Sequence, residues 1–106
     1  MKKINIVRSN EDFNNIMKTG KLIKNNCYVI YYQENIQNNY RIGISVPKKV
    51  GKAIVRNKIK RQLKSIIDKN IELIKTYDYI IIARNVLLEK KYIEIEKELI
   101  NLINKI

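Results

Sequence analysis

The chain has 106 residues, with 22 lysines and arginines against 10 acidic residues, a formal charge of +12 that puts nucleic acid or an anionic membrane first among partners. Its hydrophobic content of 45% excludes a disordered polyelectrolyte, and its length is that of one small domain, 1–106. With no histidine, one cysteine and no apolar run near the roughly 18–20 residues of a membrane span, the sequence offers neither the commonest general base nor a disulfide, a zinc cluster or a membrane helix.

Residues 1–8 read as a basic arm, free to fray, and without the apolar core of a secretory signal. Ser9 is placed to N-cap a short helix whose first turn carries Glu11 and Asp12, where the helix dipole favours negative charge. Phe13, Ile16 and Met17 form its apolar face and Gly20 stops it. By spacing alone, Phe13 and Met17 are most simply core residues.

Leu22-Ile23 suits a short leading strand. Residues 27–33 are β-branched and aromatic, with Cys27, Val29, Tyr31 and Gln33 on one face and Tyr28, Ile30 and Tyr32 on the other. After an asparagine-rich turn, Tyr40, Ile42, Ile44 and Val46 alternate with Arg41, Gly43 and Ser45. The two strands are expected to pair as an antiparallel hairpin with one apolar face.

The stretch Pro47–Lys64 holds eight of the chain's basic residues, and no acidic residue lies between Glu34 and Asp68. Val55, Ile59, Leu63, Ile66 and Ile67 recur at helical spacing and form one stripe. Asn57, Lys60, Arg61 and Lys64 fall opposite, flanked by Arg56 and Lys58. A basic helix face is commonly just solvated. Here Lys52, Arg56, Lys60 and Lys64 stack like charges at i,i+4 with no carboxylate among them, a repulsion of a few tenths of a kcal/mol per pair that a polyanionic partner would relieve.

Asp78–Ala83 is a continuous apolar run, suited to a strand covered on both faces. Residues 91–105 form an amphipathic helix with stripe Tyr92, Ile95, Leu99, Leu102, Ile103 and Ile106, near four of the ten acidic residues. The expected fold is α+β, a small α/β sandwich of one sheet of about four strands with three helices, in the order helix, strands, helix, strand, helix.

No paired carboxylates accompany the basic stretch to hold two metals for phosphodiester cleavage, and Cys27 reads as a small core hydrophobe. A self-sufficient nuclease is therefore disfavoured, and no catalytic or metal-binding residue is assigned to the protein. A DNA-binding regulator is disfavoured by the lack of a helix-turn-helix pair. The composition points to a reduced, cytoplasmic protein.

The run VGKAIVRNKIKRQLK, with Arg56-Asn57-Lys58 followed by Lys60-Arg61, resembles the signature helix of the bacterial ribonuclease P protein subunit. NEDF, RIGISVPKKVGKA and YDYIIIAR extend the resemblance over nearly the whole chain. Lys58 departs from the family's arginine and loses its planar two-point fork. The resemblance implies a left-handed crossover around the basic helix, against the usual right-handed preference. It also implies a catalytic RNA subunit that carries the active site and its Mg2+ ions, with precursor tRNA as substrate; it implies no protein partner, and the lack of a long apolar run speaks against a membrane. Lys48, Lys49, Lys52, Arg56, Asn57, Lys58, Lys60, Arg61 and Lys64 would bind RNA. Phe13, Met17 and Tyr31 would line a cleft for the unpaired 5′ leader, with Met17 where the family often has a second aromatic. The alternative is a ribosomal-type RNA-binding protein with no role in cleavage.

Overall fold

The computed structural model describes residues 1–106. Helix α1 spans Asn10–Thr19, α2 Ala53–Lys69 and α3 Tyr92–Ile103; the strands are β1 (Lys21–Lys24), β2 (Tyr28–Glu34), β3 (Arg41–Ser45) and β4 (Tyr77–Ala83). They form one mixed sheet in the order β1-β2-β4-β3. The expected α+β class and the sequence of helices and strands are those observed.

The hairpin is not. β4 lies between β2 and β3, antiparallel to the first and parallel to the second. The centre of a sheet covered on both faces needs a strand apolar on both faces. Ile80, Ile81 and Ile82 meet that demand, while β2 and β3 carry Gln33, Arg41 and Ser45. The loop between β2 and β3 is pinned across the start of β4 instead of closing a tight turn. Asn35 donates from Nδ2 to Asn39 O and to Asp78 Oδ1, both at 2.9 Å, and its Oδ1 accepts from Gln37 N. Asn38 sits at φ 57°, a conformation asparagine tolerates better than most residues.

Strand alternation divides the interior in two. Tyr28 and Ile30, Ile42 and Val46, and Tyr79, Ile81 and Ala83 meet the stripes of α2 (Ile59, Leu63, Ile66, Ile67) and α3 (Ile95, Leu99, Leu102, Ile103). Each isoleucine, leucine or valine among them, fully buried, contributes about 1.5–3 kcal/mol. Cys27 joins this core as expected, although it lies just before β2. On the other face, α1 covers a smaller cluster of Val7, Ile16 and Ile80, fringed by Phe13, Tyr31 and Ile82.

Residues 1–8 are not a frayed arm. Ile6 bridges Ile42, Val7 N donates to Ile42 O at 3.0 Å, and the buried Asn5 donates to Tyr40 O at 2.7 Å. The segment covers the outer edge of β3, which would otherwise leave its backbone groups unpaired. Ser9 caps α1 as predicted, accepting from Asp12 N at 3.1 Å. Gly20 stops α1 for a different reason than a left-handed turn: its φ is −78°. A Cβ there would stand 2.5 Å from Ile16 O and 2.9 Å from Tyr32 O, so backbone packs on backbone.

Candidate nucleic-acid interface

Burying the apolar stripe of α2 fixes where its cations point. Lys52, Asn57, Lys58, Arg61 and Lys64 are exposed, and Arg56 and Lys60 half-buried. Arg56 Nε donates to Gly51 O at 3.1 Å, which ties this side chain across the entry to the helix. The helix begins without a capping side chain and without an acidic residue in its first turn, so free backbone N–H groups and cations face solvent together, an arrangement suited to phosphate. Lys48 and Lys49 lie exposed on a 3-10 turn just before it.

Phe13 projects from the first half of α1 onto β3, where Gly43 leaves room for the ring: a Cβ on Gly43 would stand 2.5 Å from Phe13 Cζ. The ring is half-buried, held by the Val7–Ile16–Ile80 cluster. Met17, one turn further along α1, is 38% exposed. Phe13 and Met17 line one groove of about 410 Å³ together with Ile44, Ser45 and Lys60. A second cavity of about 210 Å³ joins Phe13 and Gly43 to Lys60 and Lys64. The half-buried Lys60 therefore belongs to both the basic helix and the aromatic groove, which the sequence had suggested were separate surfaces.

Tyr31 lies on the same sheet face as Phe13 and packs at the edge of the same cluster, opposite Ile80 in the strand register. It does not line the groove with Met17. Further along this face, Val29 and Ile82 are cross-strand partners and form the floor of a third cavity of about 480 Å³. Lys24, Lys49 and Arg84 rim it with Asn26 and Asn85, and no acidic residue lines it. Lys24 and Arg84 escaped the sequence reading because each is an isolated cation; Arg84 directly follows the YDYIIIA strand, a position that could have marked it.

One polar network underlies the site. Arg41 donates from Nε to Asp78 Oδ1 and from Nη2 to Asp78 Oδ2, both at 2.8 Å, and reaches Asp12 Oδ2 from Nη1 at 3.4 Å. The hydrogen bonds that Arg41 donates to Asp78 raise the Arg41 pKa above its ordinary value, against a desolvation that lowers it. No three acidic, cysteine or histidine side chains converge as a metal would need, and no helix is long and apolar enough to cross a membrane.

The sequence model of the Ribonuclease P family matches residues 1–106. The chain belongs to the ribonuclease P protein family. It is 44% identical to the ribonuclease P protein component of Mycoplasma mycoides subsp. mycoides, covering 100% of this chain and 99% of that one. The corresponding protein of Streptococcus agalactiae serotype III is 42% identical, over 97% and 94% of the two chains. Among solved structures, the Staphylococcus aureus RNase P protein superposes with a TM-score of 0.90 at 32% identity, covering 95% of this chain and 94% of that one. The Thermotoga maritima RNase P protein gives 0.88 at 32% identity, over 94% and 96%. The role of the chain is accordingly that of a ribonuclease P protein subunit, an accessory to an endoribonuclease that processes tRNA.

Proposed function

We propose that the protein supplies binding energy and placement to a ribonuclease P reaction whose catalytic site lies in the RNA subunit. The exposed face of α2, with Lys48, Lys49 and Lys52 before it, docks on the phosphates of that RNA. Such contacts position without reading sequence. Asn57 can donate an amide to a phosphate or offer its oxygen to a metal-bound water. Mg2+ belongs to the RNA subunit, where it supplies the metal chemistry of phosphodiester hydrolysis; the protein's own side chains bind and orient. The assembly works in the cytoplasm, where precursor tRNA is its substrate.

Phe13, Met17 and Tyr31 offer apolar and aromatic surface to the unpaired 5′ leader of precursor tRNA, with Lys60 bordering Phe13 and Met17 for its phosphates. Stacking of this kind tolerates any base. The leader is what distinguishes precursor from product, which has lost it. The observation that carries this reading is the placement of Lys60: a strand of RNA crossing from the basic helix to Phe13 meets a continuous surface, not a gap.

Reconstitution tests it. Protein rigorously freed of RNA should leave precursor tRNA uncut with or without magnesium. With a bacterial catalytic RNA it should raise cleavage efficiency at low magnesium. Maturation of the 5′ end by the RNA-free protein would overturn the assignment of catalysis to RNA.

A further inference from the structure

We propose that Arg41 is a positioning residue for leader recognition: anchored on Asp78, it holds the first turn of α1 through Asp12 and so keeps the Phe13 ring seated on Gly43. The inference rests on the leader reading above.

The anchor is rigid. Asp78 is 3% exposed on the central strand β4 and is the register partner of Arg41 on β3. Two bonds of 2.8 Å fix the plane of the guanidinium, and the Asn35 amide at 2.9 Å takes a further position on Asp78 Oδ1. A carboxylate held from two sides leaves the arginine one orientation, the planar fork that lysine cannot reproduce. The nitrogen left over, Nη1, points out toward α1 and meets Asp12.

The free end lands where it matters. Asp12 immediately precedes Phe13, and its own backbone N–H is held by the Ser9 cap. Arg41 and Gly43 are two residues apart on one face of β3, about 7 Å. The helix thus meets β3 at two adjacent points, Asp12 on Arg41 and Phe13 on Gly43. One contact fixes a position; two fix the rotation of α1 about its axis, and with it the part of the ring turned to the groove. Stability alone does not call for the outer contact. The Asp12 side chain is 44% exposed, and a pair so open to water adds little to folding, while the dipole benefit of a first-turn acid is supplied equally by Glu11.

The test compares precursor and mature tRNA affinities of the enzyme reconstituted with catalytic RNA, alongside thermal melting of each protein variant. Asp12→Asn should lower the precursor-to-mature affinity ratio about two- to fivefold, the range of a partly exposed ion pair, with melting nearly unchanged. Glu11→Gln removes the same charge from the same turn without touching Arg41 and should keep the ratio. Arg41→Gln should lower it further, but also leaves Asp78 buried without its partner, so melting falls as well; Arg41→Lys should recover only part of the ratio. Phe13→Ala is the reference for a lost leader contact. If Phe13→Ala lowers the ratio while folded Asp12→Asn keeps it, the strut is refuted and the leader surface stands. If Phe13→Ala also keeps the ratio, the leader reading itself falls and takes this inference with it.

Discussion

Phe13 and Gly43 occupy one another's space: the glycine has no side chain because the ring lies where a Cβ would be, 2.5 Å from Cζ. Gly43→Ala should therefore push the ring off β3 or force the strand to shift. Overpacking of this kind costs about 1–3 kcal/mol. Ile80 Cδ1, which would stand 2.9 Å from the same Cβ, closes the other way out. The expected result is a lower melting temperature together with weaker precursor binding. An alanine variant that melts and binds like the parent would mean that the ring has no fixed seat.

Phe13→Ala and Tyr31→Ala should each weaken precursor binding by roughly 5- to 100-fold, the range for a base stacked on an aromatic face, with little change for mature tRNA. Both residues are half-buried at the edge of a small cluster. Their truncation should accordingly cost less stability than the roughly 3–5 kcal/mol of a fully buried phenylalanine. Affinities for both ligands and a melting curve decide between cleft and core. A parallel loss for precursor and product, with a large drop in melting, would return the two residues to the core.

The exposed cations of α2 should report themselves through salt. Lys58→Ala, Arg61→Ala and Lys64→Ala combined should weaken binding to the catalytic RNA. The log–log salt dependence should flatten by roughly 0.7–0.9 per phosphate contact removed. These three are better probes than Arg56, which is tied to Gly51 O, or Lys60, which borders the aromatic groove. An unchanged slope would take α2 off the RNA.

How much of this was legible in the sequence depended on the range of the interaction concerned. The Ser9 cap, the α2 stripe and the doubly apolar β4 are written in neighbouring residues, and each appears where the periodicity puts it. The false hairpin arose because β2 and β3 are consecutive and each alternates cleanly, while insertion of β4 depends on a strand that follows more than thirty residues after β3 begins. The basic N-terminal arm misled in the same way: Lys2, Lys3 and Arg8 do face solvent, but Asn5 and Val7 between them are buried against β3. Of the site, charge and aromatic type were readable. The convergence of Lys24, Lys49 and Arg84 was not, since it needs the ends of β1 and β4 brought beside the turn before α2.

Tyrosine titration offers a check on the larger core. Burial pushes the Tyr79 phenol up to about 12, with a backbone hydrogen bond from Lys75 acting the other way. Its hydroxyl donates to Lys75 O at 3.1 Å and accepts from Lys75 N at 3.0 Å. Burial raises Tyr28 as well, and its hydroxyl donates to Ile95 O at 2.9 Å, joining β2 to α3. In the unfolded chain both phenols ionise near the ordinary value of about 10. Above that pH the unfolded state releases protons that the folded state keeps, so ν_U is smaller than ν_N and stability falls as pH rises. The contribution is whole below about pH 10 and, for Tyr79, is lost as pH approaches its folded value of about 12. Ultraviolet titration of the seven tyrosines should then show the two buried phenols ionising together with unfolding, coincident with loss of the helical circular dichroism signal. Tyr28→Phe removes one of them and should weaken the alkaline loss of stability. If all seven ionised near their ordinary value while the helical signal persisted, the packing of β2 and β4 against α3 would be wrong.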